Sequence, residues 1–231
     1  MRKRIFNSLV LALILSIGVA LTPCTAQAGY MQFQYYDPYS MAGALTIDDN
    51  AAGDANATDG IMSVSLSVGN WLISGSLAVT YNTLGTASAP KLDLSNLSVS
   101  SQGGGELLIG VSANNYIGSN GFMFSVGGTT DGSVTFDSFY DSGNGFFGAS
   151  SGSIGSLFGD EGPFKDQTFG MANEFDFGTP YSLSITADIL HDDEGVTSFD
   201  ANLTAVPEPG SLILLGLSLF GLLGIGRRIT G

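Results

Sequence analysis

The stretch that decides the fold class is Met62-Ser63-Val64-Ser65-Leu66-Ser67-Val68, in which apolar and polar side chains alternate. Successive side chains of a β-strand point to opposite faces, so the alternation predicts a strand with one buried and one solvated face. The same period of two recurs in eight further stretches: Met31–Tyr35, Trp71–Val79, Leu92–Val99, Leu107–Val111, Phe122–Phe124, Val134–Phe136, Leu183–Ile189 and Phe199–Ala205.

Turn residues separate these stretches at short, regular intervals, for example at Asp59-Gly60, Asn120-Gly121 and Asp131-Gly132. Between the strands we find no window with the apolar stripe of an amphipathic helix. Many short strands joined by regular turns are typical of antiparallel sandwiches and jelly rolls. We therefore predict a single all-β domain over residues 29–205, an antiparallel β-sandwich of jelly-roll-like form.

Two segments depart from the simple alternation. The apolar positions shift by one residue at Asn96, which predicts a β-bulge there. The segment Gly143–Gly162 is rich in glycine, with Phe146, Phe147 and Phe158 between the glycines, and it predicts a long loop or irregular hairpin. The three phenylalanines either pack beneath this loop or give it an adhesive surface.

Charge is distributed very unevenly along the chain. Five of the seven basic residues lie near the two termini, and between residues 29 and 206 only Lys91 and Lys165 oppose 20 carboxylates, a formal charge of −18. Binding to nucleic-acid phosphates needs clustered Lys and Arg, so the composition excludes nucleic acid as a partner. The same region contains no Cys, which excludes a disulfide scaffold, a Cys zinc site and a thiol nucleophile.

The N-terminus has the three parts of a secretory signal peptide. The positive segment Arg2-Lys3-Arg4 precedes an uncharged apolar run over Leu9–Leu21, and Ala26-Gln27-Ala28 supplies the small residues of a cleavage site. We predict that residues 1–28 direct export through the Sec machinery and are then removed. Pro23 beside Cys24 does not suit a bacterial lipoprotein box, so we expect no lipidation.

The C-terminus carries a second hydrophobic segment. Val206-Pro207-Glu208-Pro209-Gly210-Ser211 leads into an apolar run that ends at Ile225, and Arg227 and Arg228 follow it. A helix over residues 211–226 would be about 24 Å long at ~1.5 Å per residue, which is short of the ~30 Å hydrocarbon core. We predict a marginal transmembrane helix there, with its arginines in the cytoplasm and the preceding domain outside.

This segment, residues 206–231, resembles the PEP-CTERM sorting signal, which combines a Pro-Glu-Pro triad, a hydrophobic span and terminal arginines in that order. The resemblance implies a Gram-negative envelope protein that an exosortase recognises and processes while the inner membrane holds it transiently. Pro207-Glu208-Pro209 would be the recognition element, and Arg227 and Arg228 the retention signal. Such proteins accompany exopolysaccharide, biofilm or floc, and they reach the outer envelope, the cell surface or the medium.

Tails of this kind are also grouped as ice-binding protein C-terminal domains. Ice-binding faces need ranks of regularly spaced threonines, and the chain contains no Thr-x-Thr pattern. We therefore do not extend ice binding to this protein from its sorting signal.

The acidic stretch over residues 48–60 is the one candidate for a cofactor, calcium. Asp54, Asn56 and Thr58 alternate as in a calcium loop, and Asp59 follows them. Asp59 stands where an EF-hand has glycine, and Ser65 stands where it has glutamate, so the stretch is not an EF-hand. A solvated acidic turn is the alternative interpretation.

Two other groups of residues could carry chemistry. His191 lies beside Asp192-Asp193-Glu194, which could ligate a metal, but we predict a polar hairpin between Tyr181–Leu190 and Val196–Ala205 instead. Carboxylate pairs can hydrolyse glycosides without His or Arg, and the candidates are Glu106, Glu174 and Asp176. Such sites usually need aromatic platforms, and the chain has one tryptophan, Trp71, so we predict no enzymatic activity.

These observations favour a structural or adhesive role in exopolysaccharide, biofilm or floc. A calcium- or carbohydrate-binding β-sandwich module is the alternative, and a polysaccharide-acting enzyme is a more distant one. A charge near −18 would repel anionic polymers, so matrix contacts would use neutral glycans, protein surfaces or bridging divalent ions.

Overall fold

A computed structural model describes residues 31–39, 43–79, 85–148, 152–172 and 178–206. The described residues form twelve β-strands and no helix, which confirms the all-β prediction. The strands are β1 (Met31–Tyr36), β2 (Leu45–Asp48), β3 (Ile61–Val68), β4 (Trp71–Val79), β5 (Lys91–Ser101), β6 (Gly105–Tyr116), β7 (Gly121–Thr130), β8 (Ser133–Asp141), β9 (Gly152–Gly159), β10 (Gly162–Met171), β11 (Tyr181–His191) and β12 (Gly195–Ala205).

The strands form two six-stranded antiparallel sheets that pack face to face. One sheet, called sheet A, has the order β2-β1-β6-β11-β8-β9, and the other, sheet B, has the order β10-β7-β12-β5-β4-β3. From β5 to β8 the chain changes sheet at every step, and it does so again from β9 to β12. This alternation is the jelly-roll arrangement, with the β1–β2 and β3–β4 hairpins each extending one sheet. The predicted β-sandwich is confirmed.

The apolar positions of the alternation face the space between the sheets and form one core. Phe136 of β8 meets Phe199 of β12 edge-on, with ring centroids 4.9 Å apart, so rings from both sheets interlock at its centre. The ring centroids of Phe136 and of Phe164 in β10 are 5.8 Å apart. Burial of apolar surface stabilises a folded chain by about 25 cal/mol for each Å² removed from water. This is the main favourable contribution that holds the two sheets together.

The predicted bulge at Asn96 is confirmed. The register between β5 and β12 shifts between Phe199 and Ala201, and Asn96 has a positive φ of 54°. Asn tolerates this left-handed conformation better than most residues with a side chain. The Asn96 backbone N–H donates to Asp200 Oδ1 at 2.6 Å, so the extra residue of the bulge keeps a hydrogen-bond partner.

The prediction for Gly143–Gly162 is wrong over much of its length. Residues 152–159 form strand β9, which pairs with β8, and β10 begins at Gly162. Residues 143–148, at the start of the segment, form a loop in which Phe147 packs over Gly110 of β6. Phe158, by contrast, lies on the outer face of an edge strand and is 56% exposed. Strand pairing with β8 therefore outweighs the turn preference of the glycines.

The predicted hairpin between Tyr181–Leu190 and Val196–Ala205 is also wrong. Both stretches are strands, but β11 belongs to sheet A and β12 to sheet B, so the connection crosses from one sheet to the other. His191 is the last residue of β11, and it is 1% exposed instead of standing in a solvated turn. The local sequence pattern is the same for a hairpin and for a sheet-crossing corner, and only the tertiary packing distinguishes them.

Both described termini lie at the same end of the sandwich. Met31 of β1 pairs with Ala113 near the end of β6, and Ala205 of β12 pairs with Phe122 near the start of β7. The short connection from β6 to β7 joins these two places. We call this the terminal end, and we call the opposite end, where Ser101, Trp71 and His191 lie, the far end.

Among the described residues there is no helix that is long and apolar enough to cross a membrane. The predicted signal peptide and its cleavage residues, Ala26 and Ala28, lie outside the described residues. The same holds for the sorting residues and the predicted span: Pro207, Glu208, Pro209, residues 211–226, Arg227 and Arg228.

Candidate functional site

The acidic loop between β2 and β3 is organised around the Asp54 carboxylate. Asp54 Oδ1 accepts hydrogen bonds from the backbone N–H groups of Asn56 and Ser63, at 2.8 and 2.9 Å. Asp54 Oδ2 accepts a third from Asn50 N–H at 3.0 Å. Ser63 lies on β3, so this side chain fastens the loop to the sandwich.

The other predicted calcium ligands also point at groups of the loop itself. Asn56 Oδ1 accepts from Thr58 N–H at 2.9 Å, and Asp59 Oδ1 accepts from Asn50 Nδ2 at 2.8 Å. These bonds hold the loop closed with its own donors. Among the described residues no group of three or more His, Cys, Asp or Glu is arranged to hold a metal ion. Calcium binding at Asp54, Asn56, Thr58 and Asp59 stays a prediction.

Asp49 is the residue of this loop that the sequence did not single out. Its Oδ2 accepts from Gly60 N–H at 2.8 Å, while its Oδ1 is buried and has no hydrogen-bond partner in the described part of the chain. Burial raises the pKa of the Asp49 carboxyl, and the nearby charges of Asp54 and Asp59 raise it further. The loop therefore brings three carboxylates together, at an electrostatic cost to the folded state.

We expect the substitution Asp54→Ala to destabilise the domain by about 2 kcal/mol, because three backbone N–H groups lose a charged acceptor. Urea unfolding followed by circular dichroism measures this change. Asp59→Ala is the matched control, since Asp59 accepts one exposed side-chain bond, and we expect a change within ~0.5 kcal/mol. Equal losses in the two variants would contradict the role assigned to Asp54.

At the far end, His191 is the centre of a buried polar network that joins the two sheets. His191 Nδ1 lies 2.8 Å from Ser101 Oγ of β5, and His191 Nε2 lies 2.8 Å from Thr197 Oγ1 of β12. Thr197 Oγ1 lies 2.6 Å from Thr130 Oγ1 of β7. One residue of sheet A is thus bonded to strands of sheet B on both sides of its ring.

The hydrogen bonds of Ser101 assign the protonation of the imidazole. Ser101 Oγ donates its proton to the Asp193 carbonyl oxygen at 3.2 Å, so it accepts a hydrogen bond from the N–H group at His191 Nδ1. In the neutral imidazole Nε2 is then the acceptor, and the Thr197 hydroxyl donates to it. Burial lowers the pKa of His191, against a smaller opposite effect of the Asp131 charge. The network holds a neutral imidazole.

An open cleft lies directly above this network. It has a volume of about 360 Å³, and its lining includes Trp71 and His191, whose rings are 5.1 Å apart. Gly105, whose absent side chain leaves room beside the indole, and Leu190 also line it. The exposed part of the lining consists of Tyr39, which is 75% exposed, with Asn70 and Asp192, while Asp37 is buried and accepts a hydrogen bond from Tyr39 N–H.

The chemistry of this cleft suits binding better than catalysis. Ser101 beside His191 is not a nucleophile–base pair, because Ser101 is 3% exposed and already donates to Asp193 and accepts from Gly195 N–H. The exposed part of the lining instead offers an aromatic ring, an amide and a carboxylate, which are groups that bind a polar ligand with an apolar face. Sequence reasoning missed this cleft, although the only Trp and the only His of the chain meet there.

Of the carboxylates considered for glycoside hydrolysis, the structure describes Glu106 alone. Glu106 lies on the outer face of sheet A, near Asp188 and Asp137, while Glu174 and Asp176 lie outside the described residues. Burial raises the pKa of Asp188, and the charges of Glu106 and Asp137 raise it further. This group is a cluster of like charges on an open sheet face.

The last described residues lead directly into the predicted sorting segment. Ala205 N–H donates to the Pro90 carbonyl oxygen at 2.9 Å, and Val206 N–H donates to the Gly121 carbonyl oxygen at 2.8 Å. The chain is therefore held to the sandwich up to the residue before Pro207. The segment leaves from the terminal end, opposite the cleft.

The fold places the domain in the class of jelly-roll β-sandwiches. Residues 205–228 match the family model of the PEP-CTERM protein-sorting motif, which confirms the resemblance of the C-terminal segment. The chain is therefore an exported protein that carries a sorting signal for an exosortase. The match overlaps the β-sandwich only at Ala205, the last residue of β12. No curated protein matches the chain.

Solved structures with a similar fold include several sugar-binding domains. A family 11 carbohydrate-binding module from Clostridium thermocellum has 13% identity and a TM-score of 0.29, over 75% of this chain and 95% of its own. The PA14 sugar-binding domain of an RTX adhesin has 9% identity and a TM-score of 0.34, over 77% and 90%. The CBM36-1 domain of a multidomain xylanase from the hindgut metagenome of Trinervitermes trinervoides has 14% identity and a TM-score of 0.28, over 60% of this chain and 99% of its own.

Proposed function

We propose that this chain is a non-enzymatic protein of the cell envelope or extracellular matrix, with a structural or adhesive role in exopolysaccharide, biofilm or floc. The observation that carries the proposal is the match to the PEP-CTERM protein-sorting motif over residues 205–228. The exported cargo upstream of the motif is a single β-sandwich with no pair of groups suited to nucleophilic catalysis among its described residues.

The position of the described termini supports one orientation of the β-sandwich relative to the membrane. Since the chain leaves the sandwich at Val206, a tail held in the membrane keeps the terminal end towards the bilayer. The cleft beside Trp71 then faces away from the cell, where matrix polymers lie. The surrounding charge is negative, so contacts with the matrix would use neutral glycans, protein surfaces or bridging divalent ions.

The proposal is tested on the protein recovered from the bacterium that produces it. We expect mass spectrometry to find a chain that begins near Gly29 and ends upstream of Arg227, in the outer envelope, at the cell surface or in the medium. Deletion of the protein should reduce matrix or floc formation. A cytoplasmic, full-length chain, or a matrix indifferent to its deletion, would contradict the corresponding part of the proposal.

The cleft supports a second candidate function, the binding of a neutral carbohydrate. Tyr39 offers an aromatic face for a sugar ring, and the exposed side chains of Asn70 and Asp192 offer hydrogen-bonding groups beside it. We expect Tyr39→Ala to lower the affinity for neutral polysaccharides at least tenfold, because an anchoring aromatic is worth ~2 kcal/mol or more. Phe158→Ala is the matched control, as Phe158 is another exposed aromatic, and equal effects would contradict the cleft as the binding site.

Calcium at the acidic loop is the remaining candidate ligand. A site occupied in millimolar Ca²⁺ must stabilise the native state, because a ligand that binds the folded chain raises its melting temperature. A melting temperature that millimolar Ca²⁺ leaves unchanged excludes a tight calcium site at Asp54, Asn56, Thr58 and Asp59.

A further inference from the structure

The outer face of sheet B carries an exposed apolar patch at the terminal end, formed by Met123, Phe169 and Met171. Phe169 is 53% exposed and Met171 is 48% exposed, and Met123 is half-buried beside them. Phe169 of β10 pairs with Met123 of β7, and Met171 pairs with Gly121, so the three side chains lie on one face around a residue without a side chain. We call these residues the terminal patch.

The terminal patch lies against the point at which the chain leaves the domain. Val206 N–H donates to the Gly121 carbonyl oxygen at 2.8 Å. A Cβ atom on Gly121 would lie 3.1 Å from the Phe169 ring and 3.9 Å from the Val206 carbonyl oxygen. Gly121 thus has the exposed aromatic ring on one side and the exit of the sorting segment on the other.

The length of the sequence after this exit limits how far the patch can be from the hydrophobic segment. Only residues 207–211 separate Val206 from Leu212, the first residue of the apolar run. Six Cα–Cα steps of a fully extended chain cover at most about 21 Å. Prolines at 207 and 209 disfavour a helix in this linker. The headgroup region on one side of a bilayer is itself about 5–7 Å thick. A tail in the membrane therefore holds Val206, at the terminal end, within about 15 Å of the headgroup surface.

The charges near the patch also permit an approach to lipid. Lys91, one of the two lysines of the domain, lies in the same cross-strand row as Met123 and Phe169, through Thr204 of β12. Lys91 is 3.8 Å from Asp93, so the row is locally close to neutral within a strongly acidic domain. Aromatic and apolar side chains with a nearby lysine are typical of surfaces that lie at the boundary of headgroups and acyl chains.

We propose that the terminal patch rests on the lipid surface while the C-terminal segment holds the chain in the membrane. Phe169 and Met171 enter the boundary between headgroups and acyl chains, and the Trp71 cleft at the far end stays in water. The inference rests on the proposed membrane-held stage of the protein. It adds a second membrane contact, which orients the domain and holds the Pro207-Glu208-Pro209 triad close to the bilayer.

Brominated lipids test the proposal, because bromine quenches tryptophan fluorescence only at close range. The chain without residues 1–28, the predicted signal peptide, and with its C-terminal segment intact is purified and reconstituted in phosphatidylcholine vesicles, either unbrominated or brominated in the upper part of the acyl chains. The substitution Phe169→Trp adds a tryptophan to the patch, and Phe158→Trp adds one with similar exposure near the far end. The native Trp71 provides a constant internal signal at the far end.

We expect brominated vesicles to remove roughly half of the fluorescence added by Phe169→Trp, since interfacial side chains enter lipid by ~5–10 Å, and to leave Phe158→Trp unchanged. Met171→Trp is a second patch variant in case Phe169→Trp perturbs the fold. Vesicle flotation reports insertion of the tail separately. A chain that floats with neither patch tryptophan quenched overturns the patch contact and leaves the membrane stage intact. A chain that does not float overturns both the patch contact and the membrane stage. If the patch tryptophans are not quenched by bromine but become buried as the protein concentration rises, the patch binds a second copy of the chain and the proposed lipid contact is wrong.

Discussion

Replacement of Pro207, Glu208 and Pro209 by alanine is expected to leave the chain unprocessed at its C-terminus and held in the inner membrane. The hydrophobic run and Arg227-Arg228 remain in this variant, so insertion should proceed as before. The triad is the part of the motif next to the folded domain, and its loss removes the feature by which an exosortase would recognise the chain. Mass spectrometry and membrane fractionation measure the expected complete loss of the mature form.

A matched control keeps the triad and changes the second residue after it. Ser211→Ala lies in the same segment, between the triad and the apolar run, and we expect it to be processed normally. An unchanged mature mass in the alanine triad variant would contradict recognition by an exosortase. An unprocessed Ser211→Ala chain would show that the whole segment, and not the triad, is required.

The second large effect concerns stability at the far end. We expect His191→Ala to destabilise the domain by about 3–4 kcal/mol, because Ser101 and Thr197 lose a buried partner and a cavity opens beside Trp71. His191→Gln retains one donor and one acceptor on a side chain of similar length, so it should restore part of this loss. Urea unfolding measures both variants. Asp192→Ala, next to His191 but exposed, is the control that should stay within ~0.5 kcal/mol.

The pH dependence of stability distinguishes the imidazole from a merely space-filling side chain. The pKa of His191 is lowered in the folded state, so below the ordinary value of 6.5 the unfolded chain binds a proton that the folded chain does not. Stability therefore falls as the pH decreases from 6.5 towards the folded pKa, and this contribution is constant below it. His191→Gln should remove the fall, and an unchanged profile would contradict the assignment.

The carboxylates act with the opposite sign at lower pH. Burial raises the pKa values of Asp49, Asp93 and Asp188 above the ordinary value of 3.8, so the folded chain takes up protons before the unfolded chain does. Acidification through these folded pKa values adds stability, which is fully present below 3.8. The two contributions have opposite signs, so a titration of His191→Gln beside the native chain separates the effect of the imidazole from that of the carboxylates.

Much of the fold could be predicted because the information is local. Alternation in Met62–Val68 reports which face of a strand is buried, and the shift at Asn96 reports a bulge, since each depends on neighbouring residues alone. The connection around His191 could not be predicted in the same way. A hairpin and a corner between sheets use the same turn residues, and the partner of β12 is decided by strands far away in the sequence.

The candidate sites follow the same division. The acidic loop was visible as a run of oxygen-bearing side chains, but the sequence did not show that Asp54 would use both oxygens on backbone N–H groups. The cleft was invisible, because Tyr39, Trp71 and His191 are contributed by separate strands and connections. The terminal patch was also invisible, since Phe169 and Val206 are neighbours only through the pairing of β10, β7 and β12.

By itself, the sequence determined the sorting signal and the class of fold. The PEP-CTERM segment is read as a linear signal, and the alternation of strands depends on a repeat of two residues, so neither needs long-range contacts. The tertiary structure alone decided that both ends of the described part of the chain lie at one end of the sandwich, with an apolar patch beside Val206 and an aromatic cleft at the other end. The physical reason is that backbone pairing between distant strands, which local composition does not specify, sets which side chains become neighbours.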